Sequence, residues 1–198
     1  RIPRQERSRA LVDAIVDAYA ERLESGEKVT EEALSPLMRR AGVAAGSFYE
    51  YFSGGDSLTG ALIARLTQKN FDELLAAVDR AEPRSLEDIV RTMARESARA
   101  YLARPRLMRA VLRGIERFGL HEHIVRERDR FVDEVARRAH AFAPDDAATE
   151  LERKLRVVAD ACMGVIVAAA VRSDTPDVAQ VTRDLELIGA ALFRDRSR

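Results

Sequence analysis

Residues 41–58 read AGVAAGSFYEYFSGGDSL. Ala41-Gly42-Val43 stands between an amphipathic run, LMRR at 37–40, and a second short run that ends at Phe52. A glycine there suits a chain that leaves one helix through the left-handed region and turns into another. Two short helices joined by such a turn describe a helix-turn-helix, one form of which lays its second helix in the major groove of DNA. Phe48 and Phe52, four residues apart, share one face of that second helix and are expected to plug a small core. Tyr49 lies off that face. The hydroxyls of Ser47, Tyr49 and Tyr51 suit phosphate oxygens, Gly46 admits close backbone approach, and Ala44 and Ala45 offer only methyl contacts, for instance to thymine. The competing reading of both tyrosines is half-buried packing with wet tips.

Working outward, apolar residues recur at spacings of three and four, and no alternating segment bounded by turn residues is found, so the chain reads as all-α. A first amphipathic helix spans about 8–23 and stops at Gly26. For the second, Ser35 is the expected cap with Pro36 at the first helical position and 30–34 as a preceding turn. The third covers 45–51 and the fourth 56–80, ended by Glu82-Pro83. Ser85, with Asp88 three residues on, caps a fifth. Pro105 opens the sixth and Gly119 closes it. The remaining three are expected at 121–142, 147–172 and 176–194, with Thr175 capping the last.

The motif and the order of three short helices followed by six longer ones resemble the TetR family of bacterial transcriptional regulators. The matching residues are Ala41, Gly42, Val43, Gly46, Ser47, Phe48, Tyr49, Tyr51, Phe52, Asp56 and Leu58. The motif is specific for about the first 60 residues; beyond it, length, helix count and the two long last helices agree. The resemblance implies a helix-turn-helix DNA-binding domain at 1–56 and a six-helix ligand-binding and dimerisation domain at 57–198. It implies a repressor that binds a palindromic double-stranded operator as a homodimer, with Arg4, Arg7, Arg40, Ala44, Ala45, Gly46, Ser47, Tyr49 and Tyr51 at the DNA. Two positions depart from the family pattern. Ala44 replaces the usual Ser or Thr that opens the recognition helix, and Gly55 replaces the usual Lys that contacts a phosphate.

Charge qualifies this picture. The chain holds 33 basic and 33 acidic residues, so no global excess announces a nucleic-acid or membrane partner. Residues 1–56 carry eight Lys or Arg against ten Asp or Glu, with the positive charge gathered at Arg1, Arg4, Arg7, Arg9, Arg39 and Arg40. Non-specific DNA affinity comes mostly from phosphate neutralisation, and it is expected to be weak. These features motivate an alternative from another class, a helical binding or scaffold protein of the same fold that has lost operator recognition.

At 46% hydrophobic residues over 198, the chain can bury a sizeable core. One cysteine, Cys162, excludes an intrachain disulfide and fits a reducing cytosol. The leading RIPRQERSR lacks the apolar stretch of a secretory signal, and the apolar run at 157–171 is too short for a membrane span and contains Asp160. A soluble cytoplasmic protein is expected.

The run ACMGVIVAAAV at 161–171 is apolar all round and calls for burial on every side. Pairing of the last two helices with their copies would supply it, through Val158, Cys162, Val165, Ala169, Val181, Leu185, Ile188 and Leu192; a purely intramolecular core helix is the alternative. Met93, Tyr101, Met108, Phe118 and Phe131 are candidates to line a pocket for a small apolar or amphipathic effector, or else plain core. Neither metal nor cofactor is expected. The residues three before His121, His123 and His140 are Phe118, Leu120 and Arg137, so no Glu-x-x-His pair exists, and neither a nucleophile motif nor a phosphate-cradling glycine loop occurs.

Overall fold

The computed structural model describes residues 6–27, 34–142 and 148–193. Among these residues there are nine α-helices, a single 3-10 turn and no strand. The helices are α1 (Glu6–Glu24), α2 (Leu34–Arg40), α3 (Ala45–Tyr51), α4 (Gly55–Arg80), α5 (Leu86–Leu102), α6 (Pro105–Arg117), α7 (His121–Ala139), α8 (Ala148–Arg172) and α9 (Val178–Phe193).

Local chemistry sets most boundaries. After α2, Gly42 adopts φ +66°. Its N–H donates to the Arg39 carbonyl at 3.2 Å and that of Val43 to the Met38 carbonyl at 2.9 Å, the paired bonds that close a helix through a left-handed residue. Ser85 caps α5, its hydroxyl accepting from the Asp88 N–H at 3.1 Å. Asp88 reaches back to the Arg84 N–H at 3.0 Å, one residue earlier than in a standard capping box. Pro105 opens α6 at a position whose missing N–H costs nothing.

Three expected boundaries are corrected. Leu34 and Ser35 are already helical, so Ser35 does not cap α2; Pro36 is accommodated in the helix, and Thr30 lies outside the described residues. Thr175 does not cap α9. Asp177 does, accepting from the Gln180 N–H at 2.9 Å, and Pro176 stays outside the helix. The seventh helix ends at Ala139 and tightens into a 3-10 turn over His140–Phe142.

Burial gathers into three clusters. The first joins α1, α2 and α3 around Phe48 and Phe52 and continues into Leu58 and Leu62 of α4 and Leu107 of α6. The core of the head, formed by α1, α2 and α3, thus extends beyond residue 56. Tyr19 strengthens the join: its hydroxyl meets Thr59 Oγ1 at 2.7 Å, and because Thr59 donates to the Gly55 carbonyl, Tyr19 is the donor. The second cluster packs Leu74 and Val78 of α4 against Phe131, Val132 and Val135 of α7 and Leu151 and Leu155 of α8. The third packs Ala94 and Ala98 of α5 against Ile166 of α8 and Val181 and Leu185 of α9. Small residues let α5 and α9 approach closely. A Cβ added at Gly189 would lie 2.2 Å from Val90 Cγ1.

Candidate nucleic-acid interface and ligand cavity

Phe48 is fully buried and Phe52 nearly so, their ring centroids 5.4 Å apart. They seat α3 on the head and turn the opposite face outward. Ala44, Ala45, Gly46 and Tyr49 are exposed there, with Ser47 and Tyr51 half-buried. Tyr49 is 55% exposed and stands edge-on to Phe48, so its ring is braced while its hydroxyl is free to reach outward. A Cβ at Gly46 would meet no protein atom within 4 Å. Nothing inside the molecule therefore demands glycine there. Tyr51 packs against the head core. Arg40 is exposed but paired with Glu21 of α1 at 2.8 Å. Arg4 lies outside the described residues, and residue 7 stands in the first turn of α1.

Between α4, α5, α6, α7 and α8 lies a cavity of about 430 Å³, within the range of small-molecule sites. Met93, Tyr101, Met108 and Phe131 line it; Phe118 does not. Phe118 instead ends α6, where the Arg117 guanidinium sits 5.2 Å from its ring centroid. Leu66, Phe71, Met108, Val111, Leu112 and Met163 are only half-buried although they face inward, because the space they surround is not filled by side chains. Among neutral polar groups, Thr67 and Asn70 of α4 and Ser97 and Tyr101 of α5 reach the wall. Tyr101 and Asn70 both line it, and burial pushes the Tyr101 phenol up to about 12. Cys162 also lines the cavity, and burial pushes its thiol up to about 11, so it is protonated at neutral pH. Sequence reasoning missed Asn70, Ser97 and Arg128. The one available signal was the i, i+4 spacing of Ser97 and Tyr101 on a helix of otherwise apolar stripe.

The cavity and the head share α6. Leu107, buried, belongs to the head core and also lines the cavity, and its N–H is bonded to Glu24 of α1 at 2.8 Å. At the far side, Arg106 pairs with Asp174 at 2.8 Å, and Arg109 donates to the Ala170 carbonyl at 2.5 Å and the Ser173 carbonyl at 3.2 Å, capping the end of α8. Hydrogen bonds from Arg106 and then Arg109 hold the Asp174 carboxyl below its usual range.

The outer residues of α8 do not match the expected interface. Val158, Val181 and Leu185 are buried within the chain itself, and Cys162, Val165 and Ala169 pack against the third cluster, because α5 and α9 cover that side. Ile188 and Leu192 are half-buried. Exposed instead are Val157, Ala161, Gly164 and Val171, with Ala168 half-buried, spaced 4, 3, 4 and 3 along one face of α8, and Leu187 on α9. The all-round apolar run is thus covered on one side only.

Among the described residues, no group of three His, Cys, Asp or Glu side chains is placed to hold a metal, and no helix is long and apolar enough to cross a membrane.

The sequence matches no protein-family profile, and comparison with curated proteins finds no relative. Solved structures do match over the whole chain. A TetR transcriptional regulator from Rhodococcus sp. RHA1 superposes with a TM-score of 0.64 at 20% identity, over 97% of this chain and 100% of that one. A candidate TetR-family transcriptional regulator from Mesorhizobium loti MAFF303099 superposes with a TM-score of 0.73 at 13% identity, over 98% of each chain. At such identities the likeness speaks for architecture, and it agrees with the helix-turn-helix and six-helix arrangement reached above: the chain has the fold of the TetR family of transcriptional regulators.

Proposed function

We propose that this chain is a DNA-binding transcriptional regulator of the cytoplasm, a repressor that holds a palindromic operator as a homodimer and releases it when a small, largely apolar molecule fills the cavity. The observation that carries the proposal is the division of α3. One face is locked by Phe48 and Phe52, and the other presents Ala44, Ala45, Gly46, Ser47 and Tyr49 outward on a rigid base. Hydroxyls and close backbone approach fix such a helix on phosphates, while the alanine methyls touch base edges.

The exposed stripe from Val157 to Val171 supports dimerisation. A second copy of the same face, related by two-fold symmetry, would cover it and present two recognition helices to two half-sites. The cavity supports the switch. A ligand shifts a population only by its different affinity for two states, and α6, shared by cavity and head, gives those states a mechanical difference.

The test is a footprint of the purified protein on DNA flanking its own coding region. Protection of an inverted repeat is expected. A uniform, sequence-indifferent pattern would favour the scaffold reading instead, which the pairing of Arg40 with Glu21 supports by keeping one cation from phosphate.

A further inference from the structure

The cavity wall includes five charged residues, and each is already committed. Lys69 pairs with Glu73 at 3.8 Å, and Arg104 with Glu24 at 4.0 Å. Arg128 pairs with Asp160 and, at 3.0 Å, with Asp129. An anionic ligand would have to take a cation from its carboxylate, and a cationic ligand the reverse. The Lys69–Glu73 pair is exposed and weighs little, but the Arg128 guanidinium is only 25% exposed, and drawing it from Asp129 and Asp160 would break two existing pairs to make one. What remains inside is neutral. Asn70 carries two donors and an acceptor oxygen and Tyr101 a hydroxyl, and both side chains line the cavity.

We propose that the cavity selects an uncharged, mostly apolar molecule with one hydroxyl or carbonyl oxygen, which docks against the Asn70–Tyr101 pair between α4 and α5. This rests on the ligand-switched reading above and names the ligand class for it. The neighbouring apolar side chains, among them Phe71, Met93 and Met108, receive the rest of the molecule.

The test uses four naphthalene probes of one skeleton with the full chain at pH 7: 2-naphthalenemethanol, 2-methylnaphthalene, 2-naphthoate and 2-naphthylmethylammonium. The chain has no tryptophan, so probe fluorescence is read without that background. The alcohol is expected to bind at least about tenfold more tightly than either ion, the discrimination anticipated for burying a charge without a partner. Tyr101→Phe and Asn70→Leu should each weaken the alcohol by roughly two- to tenfold, the range for one lost hydrogen bond, and leave 2-methylnaphthalene unchanged. An ion that binds as tightly as the alcohol would overturn the proposal. So would variants that weaken alcohol and hydrocarbon equally. Binding of none of the four would overturn both the cavity reading and this proposal. If the alcohol is selected but fails to release DNA, the switch reading alone falls, and the ligand class stands.

Discussion

The main-chain N–H of Leu107 donates to the Glu24 carboxylate at 2.8 Å, joining residues 83 apart in sequence. Glu24 is the last residue of α1, and Leu107 is the third of α6, where an N–H lacks a partner within its own helix. A carboxylate at that end of a helix also meets the favourable end of its dipole. Since the Leu107 side chain is shared by the head core and the cavity wall, a ligand that displaces α6 acts directly on α1.

Removing that carboxylate separates stability from coupling. Glu24→Ala should lower stability by about 0.5 to 2 kcal/mol, the usual cost of a lost helix cap, read by urea denaturation. Glu24→Gln, which keeps an acceptor and loses the charge, should lower it less. In both variants the fall in operator affinity on adding ligand should shrink. A variant with wild-type stability and unchanged ligand response would show that the contact carries neither load.

Gly189 tests the packing of α5 on α9. With Val90 Cγ1 only 2.2 Å from the position of an added Cβ, Gly189→Ala must push the two helices apart or force Val90 off its rotamer. Overpacking of this kind costs about 1 to 3 kcal/mol. Thermal or urea unfolding should show that loss, and Val90→Ala in the same chain should restore part of it. Equal stability of wild type and Gly189→Ala would mean that the helices separate freely.

Features set by neighbours in sequence were legible before the fold. Gly42 and Gly119 mark helix ends because a left-handed turn is a local demand, and both adopt positive φ. Ser85 caps because its hydroxyl needs only the N–H three residues on. Around Pro176 the same logic had two answers. Thr175 and Asp177 are both capping residues, and the carboxylate of Asp177 holds the helix N-terminus. Features set by distant chain were not legible. Val181 and Leu185 form the stripe of an amphipathic helix, but a stripe does not say what covers it, and here Ala94 and Ala98 of α5 do. The partner of Asp160 was likewise hidden, since Arg128 lies 32 residues away on another helix. At the cavity, aromatic and methionine spacing found four of its residues and misplaced Phe118, because periodicity cannot tell a wall from a helix end.

The outward stripe on α8 yields a clean test of assembly. Ala161 is exposed in the single chain, so Ala161→Glu should leave the protomer folded while placing an unpartnered charge in the proposed interface. Sedimentation should then show a folded monomer, with helical content by circular dichroism equal to wild type. Leu185→Glu, at a fully buried site, should unfold the chain instead. A stable dimer of the Ala161 variant would move the interface elsewhere.

Tyr49 separates anchoring from packing. Its hydroxyl contributes nothing to the buried core, so Tyr49→Phe should leave folding unchanged and weaken operator binding by about 0.5 to 3 kcal/mol, the range for a neutral or charge-assisted hydrogen bond. Equal affinity of the two proteins at matched salt would assign the residue to bracing Phe48.

Arg40 stands beside the turn into α3, but its guanidinium is held by Glu21 at 2.8 Å, with both side chains more than half exposed. An exposed pair of this kind contributes little to stability, so breaking it should hardly affect folding. Its effect on DNA binding should be larger. Each cation that neutralises a phosphate releases counterions and adds about 0.9 to the slope of log K against log salt, whereas a cation occupied by a carboxylate adds less. Glu21→Gln removes the competing charge and leaves Arg40 to the phosphate. The variant should therefore bind operator and unrelated DNA more tightly at low salt, lose that advantage as salt rises, and show a steeper slope by up to about 0.9 per subunit. Its preference for operator over unrelated DNA should stay constant, because phosphate contacts position a protein without reading sequence. Arg40→Gln provides the control: combined with Glu21→Gln, it should return the slope to that of the wild type or below. If Glu21→Gln leaves the slope unchanged, Arg40 does not face the phosphate backbone.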